Sequence, residues 1–84
     1  MTLTELAEER VRQGMLPDLR ECRTYGGPSV GRACALCEED IRKMEMEIEV
    51  VAEANSAISF FVHVACFAAW SRAPTPEIRQ RPKE

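Results

Sequence analysis

The chain has few of the residues from which enzymes usually build active sites. Its 84 residues include one histidine, one tryptophan, one tyrosine and four glycines. A Ser/His/Asp arrangement would need that single histidine, His63, for which the spacing of the cysteines indicates another use. The glycine-containing stretch GGPSVG, residues 26–31, lacks the Lys-Ser/Thr pair and the flanking strand and helix of a phosphate-binding loop. We therefore expect a protein that is not an enzyme.

Long apolar runs are also missing. No segment approaches the roughly 20 apolar residues of a membrane span. The opening stretch MTLTELAEERVRQGM alternates apolar and charged residues, unlike a signal peptide. A disulfide framework needs an oxidising compartment, which a protein reaches through an export signal. Because the opening stretch does not look like such a signal, we expect a cytoplasmic protein with no membrane partner and four reduced cysteines. Paired cysteines in that setting bind metal or do redox chemistry.

Positive charge is in short supply and unevenly placed. The net charge of −3 disfavours a general nucleic-acid binder, because such affinity comes from cations that neutralise phosphates. A nucleic-acid-binding regulator stays as an alternative that would use the basic C-terminal tail together with the following residues: Arg20, Arg23, Arg32, Arg42 and Lys43.

The apolar residues are concentrated in one part of the chain. Large apolar residues cluster at 44–51 and 58–70, so the core of this single domain, 1–84, is expected within residues 34–72. A domain of this size has a marginal core and benefits from a metal or another cross-link. The predicted divisions are an N-terminal helix segment 1–14, a loop 15–33, a zinc-binding unit 34–72 and a flexible tail 73–84.

Local patterns predict the secondary structure. Thr2 and Glu5 fit a capping box that begins an amphipathic helix over residues 3–13, and Gly14 is suited to end it. The segment 15–33 has prolines, glycines and no sustained period, which predicts a loop with one helical turn near Leu19.

The next segment predicts a β-hairpin followed by a short helix. Methionine, isoleucine and valine at 46, 48 and 50 alternate with glutamates at 45, 47 and 49, which is typical of a half-buried strand. The turn residues EANS precede a second strand in AISFFVH, and Pro74 prevents the helix that follows from continuing far. We expect the glutamates to be solvated, with a basic partner or a cation as the alternative. Phe61 is expected to point toward the N-terminal helix.

Two residue pairs carry the metal-binding chemistry. Cys34 and Cys37 suit a knuckle from which two thiolates point at one ion, while His63 and Cys66 lie three apart and are expected to share a face of the second helix. Three sulfurs and one imidazole form a closed tetrahedral set suited to one structural Zn²⁺, with no position left for a substrate.

These residues also allow other interpretations. A thioredoxin-like redox pair should follow a buried strand and open a helix, whereas Cys34 follows loop sequence. The cysteines could be unrelated buried residues, with His63 a satisfied polar side chain. Cys22 lies twelve residues before the knuckle without a partner at ligand spacing; it is a spare thiol, or a substitute for His63 as a ligand.

The motifs CALCEEDI and FFVHVACFAAW resemble the treble-clef zinc fingers that share a Cys-x-x-Cys and His-x-x-Cys-Phe pattern. These include the first half of LIM domains, the fingers of poly-ADP-ribose polymerases and small bacterial zinc-binding proteins. The resemblance covers residues 26–72 and implies an α+β treble clef of knuckle, β-hairpin and short helix. It implies the ligands Cys34, Cys37, His63 and Cys66, and packing roles for Ile41, Phe67 and Trp70. Many such knuckles have glycine where this chain has Glu38.

These observations lead to three functional expectations. The first is a zinc-binding adaptor or regulator that presents its N-terminal helix, or the groove beside it, to a protein partner. The second is the nucleic-acid-binding regulator described above. The third is a thiol or metal sensor that uses Cys22 beside the zinc thiolates.

Overall fold

The computed structural model describes residues 1–73, so most of the predicted tail lies outside the described residues. Within these residues the fold is a small α+β arrangement of two α-helices, a 3₁₀ helix and two antiparallel sheets. The elements in chain order are α1 (Leu3–Arg12), the 3₁₀ helix (Leu19–Glu21), β1 (Cys22–Pro28), β2 (Arg32–Ala33), β3 (Asp40–Ile41), β4 (Met46–Ala52), β5 (Ser59–His63) and α2 (Val64–Arg72). Within residues 1–73, neither helix has the length and apolar character needed to cross a bilayer.

Helix α1 begins with the capping box that its sequence predicts. The Thr2 hydroxyl accepts a hydrogen bond from the Glu5 amide at 3.1 Å, and the Glu5 carboxylate accepts one from the Thr2 amide at 2.8 Å. Gly14 follows the helix with φ of +79°, a left-handed conformation in which glycine has no Cβ clash. Both ends of α1 are therefore specified locally.

The larger sheet has the strand order β1-β4-β5, and both of its pairings are antiparallel. The predicted hairpin is the β4–β5 pair. The prediction of a loop over residues 15–33 is wrong for β1, which pairs along its full length with β4. Two glycines and a proline give this segment a low strand propensity, so its sequence does not predict a strand. Its extended conformation is stabilised by pairing with β4. The helical turn expected near Leu19 is present as the 3₁₀ helix.

The two faces of this sheet differ. Val50 and Val62 are fully buried on one face, where the Phe60 ring meets Trp70 of α2 edge-on at 6.4 Å between centroids. Phe61 alternates to the opposite face and lies beneath the Arg32 guanidinium, so it does not point toward α1 as expected. Glu47, predicted to be solvated, is only 6% exposed on that same opposite face.

Helix α1 packs against α2 and thereby joins the rest of the core. Ala7 is fully buried in one apolar cluster with Leu16 and Trp70. Arg10 forms an ion pair with Glu38 at 3.4 Å, which connects α1 to the turn between β2 and β3. The N-terminal helix is therefore part of the folded unit.

Candidate metal centre

The turn between β2 and β3 presents Cys34 and Cys37. The Cys34 amide donates to the Glu39 carbonyl at 2.9 Å, and the Glu38 amide donates to the Cys34 carbonyl at 2.9 Å. Leu36 is fully buried and anchors the turn to the core. Glu38 has φ of +69°, the conformation for which glycine is favoured, so the turn keeps its shape without a glycine at some cost in strain.

The second pair of side chains comes from the junction of β5 and α2. His63 is the last residue of β5 and the N-cap of α2, with extended backbone angles of φ −62° and ψ 154°. It therefore precedes the helix instead of sharing a helix face with Cys66 as the sequence suggests. Cys66 lies in the first turn of α2, where the helix dipole favours a thiolate.

The four candidate ligands converge on one point. The Nδ1 atom of His63 lies 3.4 Å from the Cys37 sulfur and 3.8 Å from the Cys66 sulfur. All four ligand atoms lie within 4.8 Å of one another, and none of the cysteines is in a disulfide. In a tetrahedral site with usual metal–ligand bond lengths, a sulfur and a nitrogen are about 3.6 Å apart, so these separations fit a bound metal ion.

A backbone carbonyl orients the imidazole. The Nε2 atom of His63 lies 3.1 Å from the carbonyl oxygen of Asp40 in β3. A carbonyl only accepts hydrogen bonds, so this contact places the proton on Nε2 and leaves the Nδ1 lone pair facing the three sulfurs. Nδ1 is thus the atom that can ligate a metal.

The thiols do not ionise equally. Burial works against ionisation of Cys34, but the amides of Cys37, His63 and Leu36 donate to its sulfur and lower its pKa to about 7. Burial raises the pKa of Cys37 and that of Cys66. A cation that binds here at neutral pH therefore displaces protons mainly from Cys37 and Cys66.

Cys22 lies apart from the cluster. Its sulfur is 3.5 Å from the carbonyl oxygen of Asp18, and it does not belong to the group of four. The structure therefore offers no support for Cys22 as a substitute for His63. Burial is the main cause that raises the pKa of Cys22, which makes it a weaker nucleophile than an ordinary cysteine.

The packing positions implied by the resemblance are mostly buried. Ile41 is fully buried, Trp70 is 3% exposed and Phe67 packs against the same cluster. The Asp40 carbonyl could not be found from sequence, because every residue has a carbonyl. The contact between Arg32 and Glu47 was also not predicted from the sequence. It lies next to the candidate metal centre, because Glu47 of β4 is the direct cross-strand partner of His63 in β5.

The donor set is closed. Two cysteines from the knuckle and a histidine and cysteine from the β5–α2 junction supply four protein ligands, the number that fills a tetrahedral site. Such an arrangement can bind a metal ion and join two distant parts of the chain. Comparisons with protein-family models, with curated proteins and with solved structures found no match for this chain.

Proposed function

We propose that the protein is a zinc-stabilised treble-clef protein that acts as an interaction or regulatory adaptor. One observation carries the proposal: three cysteine sulfurs and an oriented imidazole nitrogen lie within 4.8 Å of one another. Thiolate and imidazole ligands in a tetrahedral set favour Zn²⁺ over the hard cations Mg²⁺ and Ca²⁺. The order of knuckle, hairpin and helix supports the treble-clef assignment.

The role of the zinc is structural. All four ligands are side chains of the chain itself, which leaves no coordination position for a substrate or a reactive water. The ion connects the β2–β3 turn to the start of α2. Structural zinc contributes apparent binding free energies on the order of 10–16 kcal/mol, as large as the whole stability of a small domain.

The adaptor role is inferred from the surfaces of the domain that remain available for binding once the metal site is closed. With the metal position closed, function must come from surfaces that the metal holds in place, and a small acidic domain suits protein partners better than polyanions. The expectation that α1 is the presented element is supported less well, because α1 uses Ala7 and Arg10 to pack on the rest of the domain.

The nucleic-acid alternative has weaker support. Several of the candidate cations already face carboxylates: Arg20 pairs with Asp18 at 2.7 Å, Arg23 with Glu53 at 3.6 Å and Arg32 with Glu47 at 3.6 Å. Such pairing reduces the charge available to phosphates. Titration with duplex DNA and with RNA at low salt tests this alternative, and salt-sensitive binding would restore it.

Metal content and coordination test the proposal directly. The protein is purified without added metal and examined by elemental analysis and by X-ray absorption at the zinc edge. One zinc per chain with three sulfurs and one nitrogen is expected for wild type and for the matched Cys22→Ser control. A four-sulfur shell, or no metal in wild type, would overturn the ligand assignment, and His63→Ala should retain little zinc.

A further inference from the structure

The face of the large sheet that α2 does not cover contains a cleft of about 300 Å³. We call it the sheet cleft and define it by Tyr25, Gly27, Arg32, Glu47, Glu49 and Phe61. It lies on the same strands that carry His63 but is separate from the four candidate metal ligands. The cleft is mainly polar, which distinguishes it from the core on the other face.

One wall of the cleft holds a charged pair in which the carboxylate is buried and the arginine is partly exposed. Glu47 is 6% exposed, and its Oε1 atom lies 3.6 Å from Nε of Arg32. Within residues 1–73, neither of these two atoms has a hydrogen-bond partner. Both atoms are sealed from solvent, so this pair holds the Arg32 guanidinium in place and leaves half-buried Glu49 as the carboxylate of the cleft that a ligand can reach.

The cleft already accommodates one guanidinium. The Cζ atom of Arg32 lies 3.7 Å from the centroid of the Phe61 ring, which is close stacking. The same guanidinium faces the Glu47 carboxylate. An aromatic face next to a carboxylate therefore binds a guanidinium within this chain.

A second aromatic–carboxylate combination lies beside the first. The sheet register places Glu49 directly between Tyr25 of β1 and Phe61 of β5, so the three side chains share the cleft face. Tyr25 is 52% exposed. Glu49 is half-buried and forms no ion pair within residues 1–73, so the cleft has two carboxylates and one guanidinium.

The cleft is bordered by an open strand edge. Within residues 1–73, β4 is the only strand paired with β1. Alternate residues of an edge strand direct their N–H and C=O groups outward, where an extended peptide can pair with them. Gly27 has no side chain here, and a Cβ atom built at this position would meet nothing within 4 Å, so a neighbouring chain can approach closely.

We propose that the sheet cleft binds an extended peptide segment of a protein partner, with the peptide adding as a strand to β1 and an arginine side chain of the peptide meeting Glu49 between Tyr25 and Phe61. This inference rests on the proposed adaptor function and names its surface and its kind of partner. Strand addition supplies affinity through main-chain hydrogen bonds, and the arginine supplies specificity through charge and stacking.

Other occupants fit the charges less well. A phosphate or a nucleic-acid backbone would meet the Glu47 and Glu49 carboxylates. A second copy of β1 would bring Arg23 as its only cation, and that arginine already faces Glu53 at 3.6 Å. A separate basic peptide brings a guanidinium with no carboxylate of its own.

The test uses the full zinc-loaded chain and a fluorescein-labelled peptide of sequence Thr-Val-Thr-Arg-Val-Thr-Val. Fluorescence anisotropy at low salt should show binding, and replacing the arginine by citrulline, which has the same shape without charge, should weaken it about tenfold. Glu49→Gln should weaken binding of the arginine peptide by a similar factor, about tenfold, and leave the citrulline peptide unaffected. Glu39→Gln removes an equal charge from an exposed residue outside the cleft and should leave both affinities unchanged.

Amide NMR locates the peptide. Shifts along β1 and β4, with slowed hydrogen exchange of outward amides of β1, are expected on binding. Equal affinity for the arginine and citrulline peptides, absence of binding, or shifts confined to α1 would overturn the inference. So would a dimer in sedimentation equilibrium with these amides already protected, because the occupant would then be a second copy.

Zinc content measured on the same samples separates the two proposals. A chain with one zinc that does not bind the peptide refutes the cleft inference and leaves the structural zinc unaffected. A chain without zinc refutes the proposed function, whatever the peptide does.

Discussion

The two ends of the molecule are built from different kinds of side chain. At the metal end, Cys34, Cys37, His63 and Cys66 converge on one point, and the Asp40 carbonyl orients the imidazole. At the helix end, Ala7, Leu16 and Trp70 are buried together where α1 packs on α2. Helix α2 belongs to both ends, since His63 is its N-cap, Cys66 lies in its first turn and Trp70 lies in its last turn.

This difference predicts two kinds of response to substitution. A tetrahedral metal site depends on all of its ligands, so losing one affects the whole end. Apolar packing responds in proportion to the volume and contacts removed. The following predictions test that contrast, from the largest expected effect to the smallest.

His63→Ala is expected to unfold the domain at room temperature. The lost ligand removes most of a binding free energy on the order of 10 kcal/mol, comparable to the total stability of a small protein. Circular dichroism at 222 nm during heating measures the effect, and a strong chelator added to wild type should reproduce it. Cys22→Ser serves as the control with an unchanged melt. A cooperative His63→Ala melt within a few degrees of wild type would refute a stabilising metal.

Trp70→Ala is expected to lower the free energy of unfolding by about 3–5 kcal/mol while the zinc content of the folded fraction stays the same. Trp70→Phe should cost less, because it keeps an aromatic ring near Phe60 and removes a buried indole N–H that has no hydrogen-bond partner within residues 1–73. Urea denaturation measures both variants. Equal costs for the two would show that the ring contributes nothing to the packing.

Asp18→Asn tests a polar contact at the helix end. The Asp18 carboxylate accepts hydrogen bonds from the Arg20 amide at 2.9 Å and from the Arg20 guanidinium at 2.7 Å. The hydrogen bond with the Arg20 side chain is the main cause that holds the pKa of Asp18 below its usual value. We expect a loss of about 1 kcal/mol at pH 7, measured in urea.

The pH dependence of this contact has a defined sign. Because the pKa of Asp18 is lower in the folded state than in the unfolded state, its stabilisation is complete above the unfolded pKa, near 4, and is lost as the pH falls through the folded pKa. Carbon-13 NMR titration of the carboxyl group measures the folded value. A midpoint at or above 4 would contradict the role assigned to Arg20.

Glu38→Gly addresses the connection between the two ends and has the smallest expected effect. Glycine relieves the left-handed backbone at φ of +69°, worth about 1 kcal/mol, but removes the ion pair with Arg10, worth less because Glu38 is largely exposed. We expect a small net stabilisation in thermal melts. Glu38→Ala keeps the backbone strain and loses the pair, so it should be slightly destabilising; if alanine stabilises as much as glycine, strain is not the reason.

The ends of α1 and the hairpin could be predicted because their signals are local. The capping box of Thr2 and Glu5 lies within four residues, and the alternation along β4 repeats every second residue. The grouping of the four candidate ligands could be predicted because each pair has its own short spacing and the hairpin between them reverses the chain. The identity of the bound metal and the adaptor role stay predictions.

Other features were missed because their signals are not local. Strand β1 contains Gly26, Gly27 and Pro28, and pairing with β4 makes it a strand. Glu47 sits in an alternating pattern that predicts exposure, yet it is buried because Arg32, fifteen residues away, covers it. No pattern within a single segment of the chain contains that information.

The sequence by itself determined the helix caps, the hairpin and the two pairs of candidate ligands, because each depends on backbone preferences or side-chain spacing over a few residues. Only the tertiary structure decided which face of the sheet is covered by α2 and which is left as a polar cleft. It also decided that β1 is an edge strand of the sheet within residues 1–73 and that the Asp40 carbonyl orients the His63 imidazole. These features depend on contacts between segments far apart in the chain, whose geometry exists only once the core has packed.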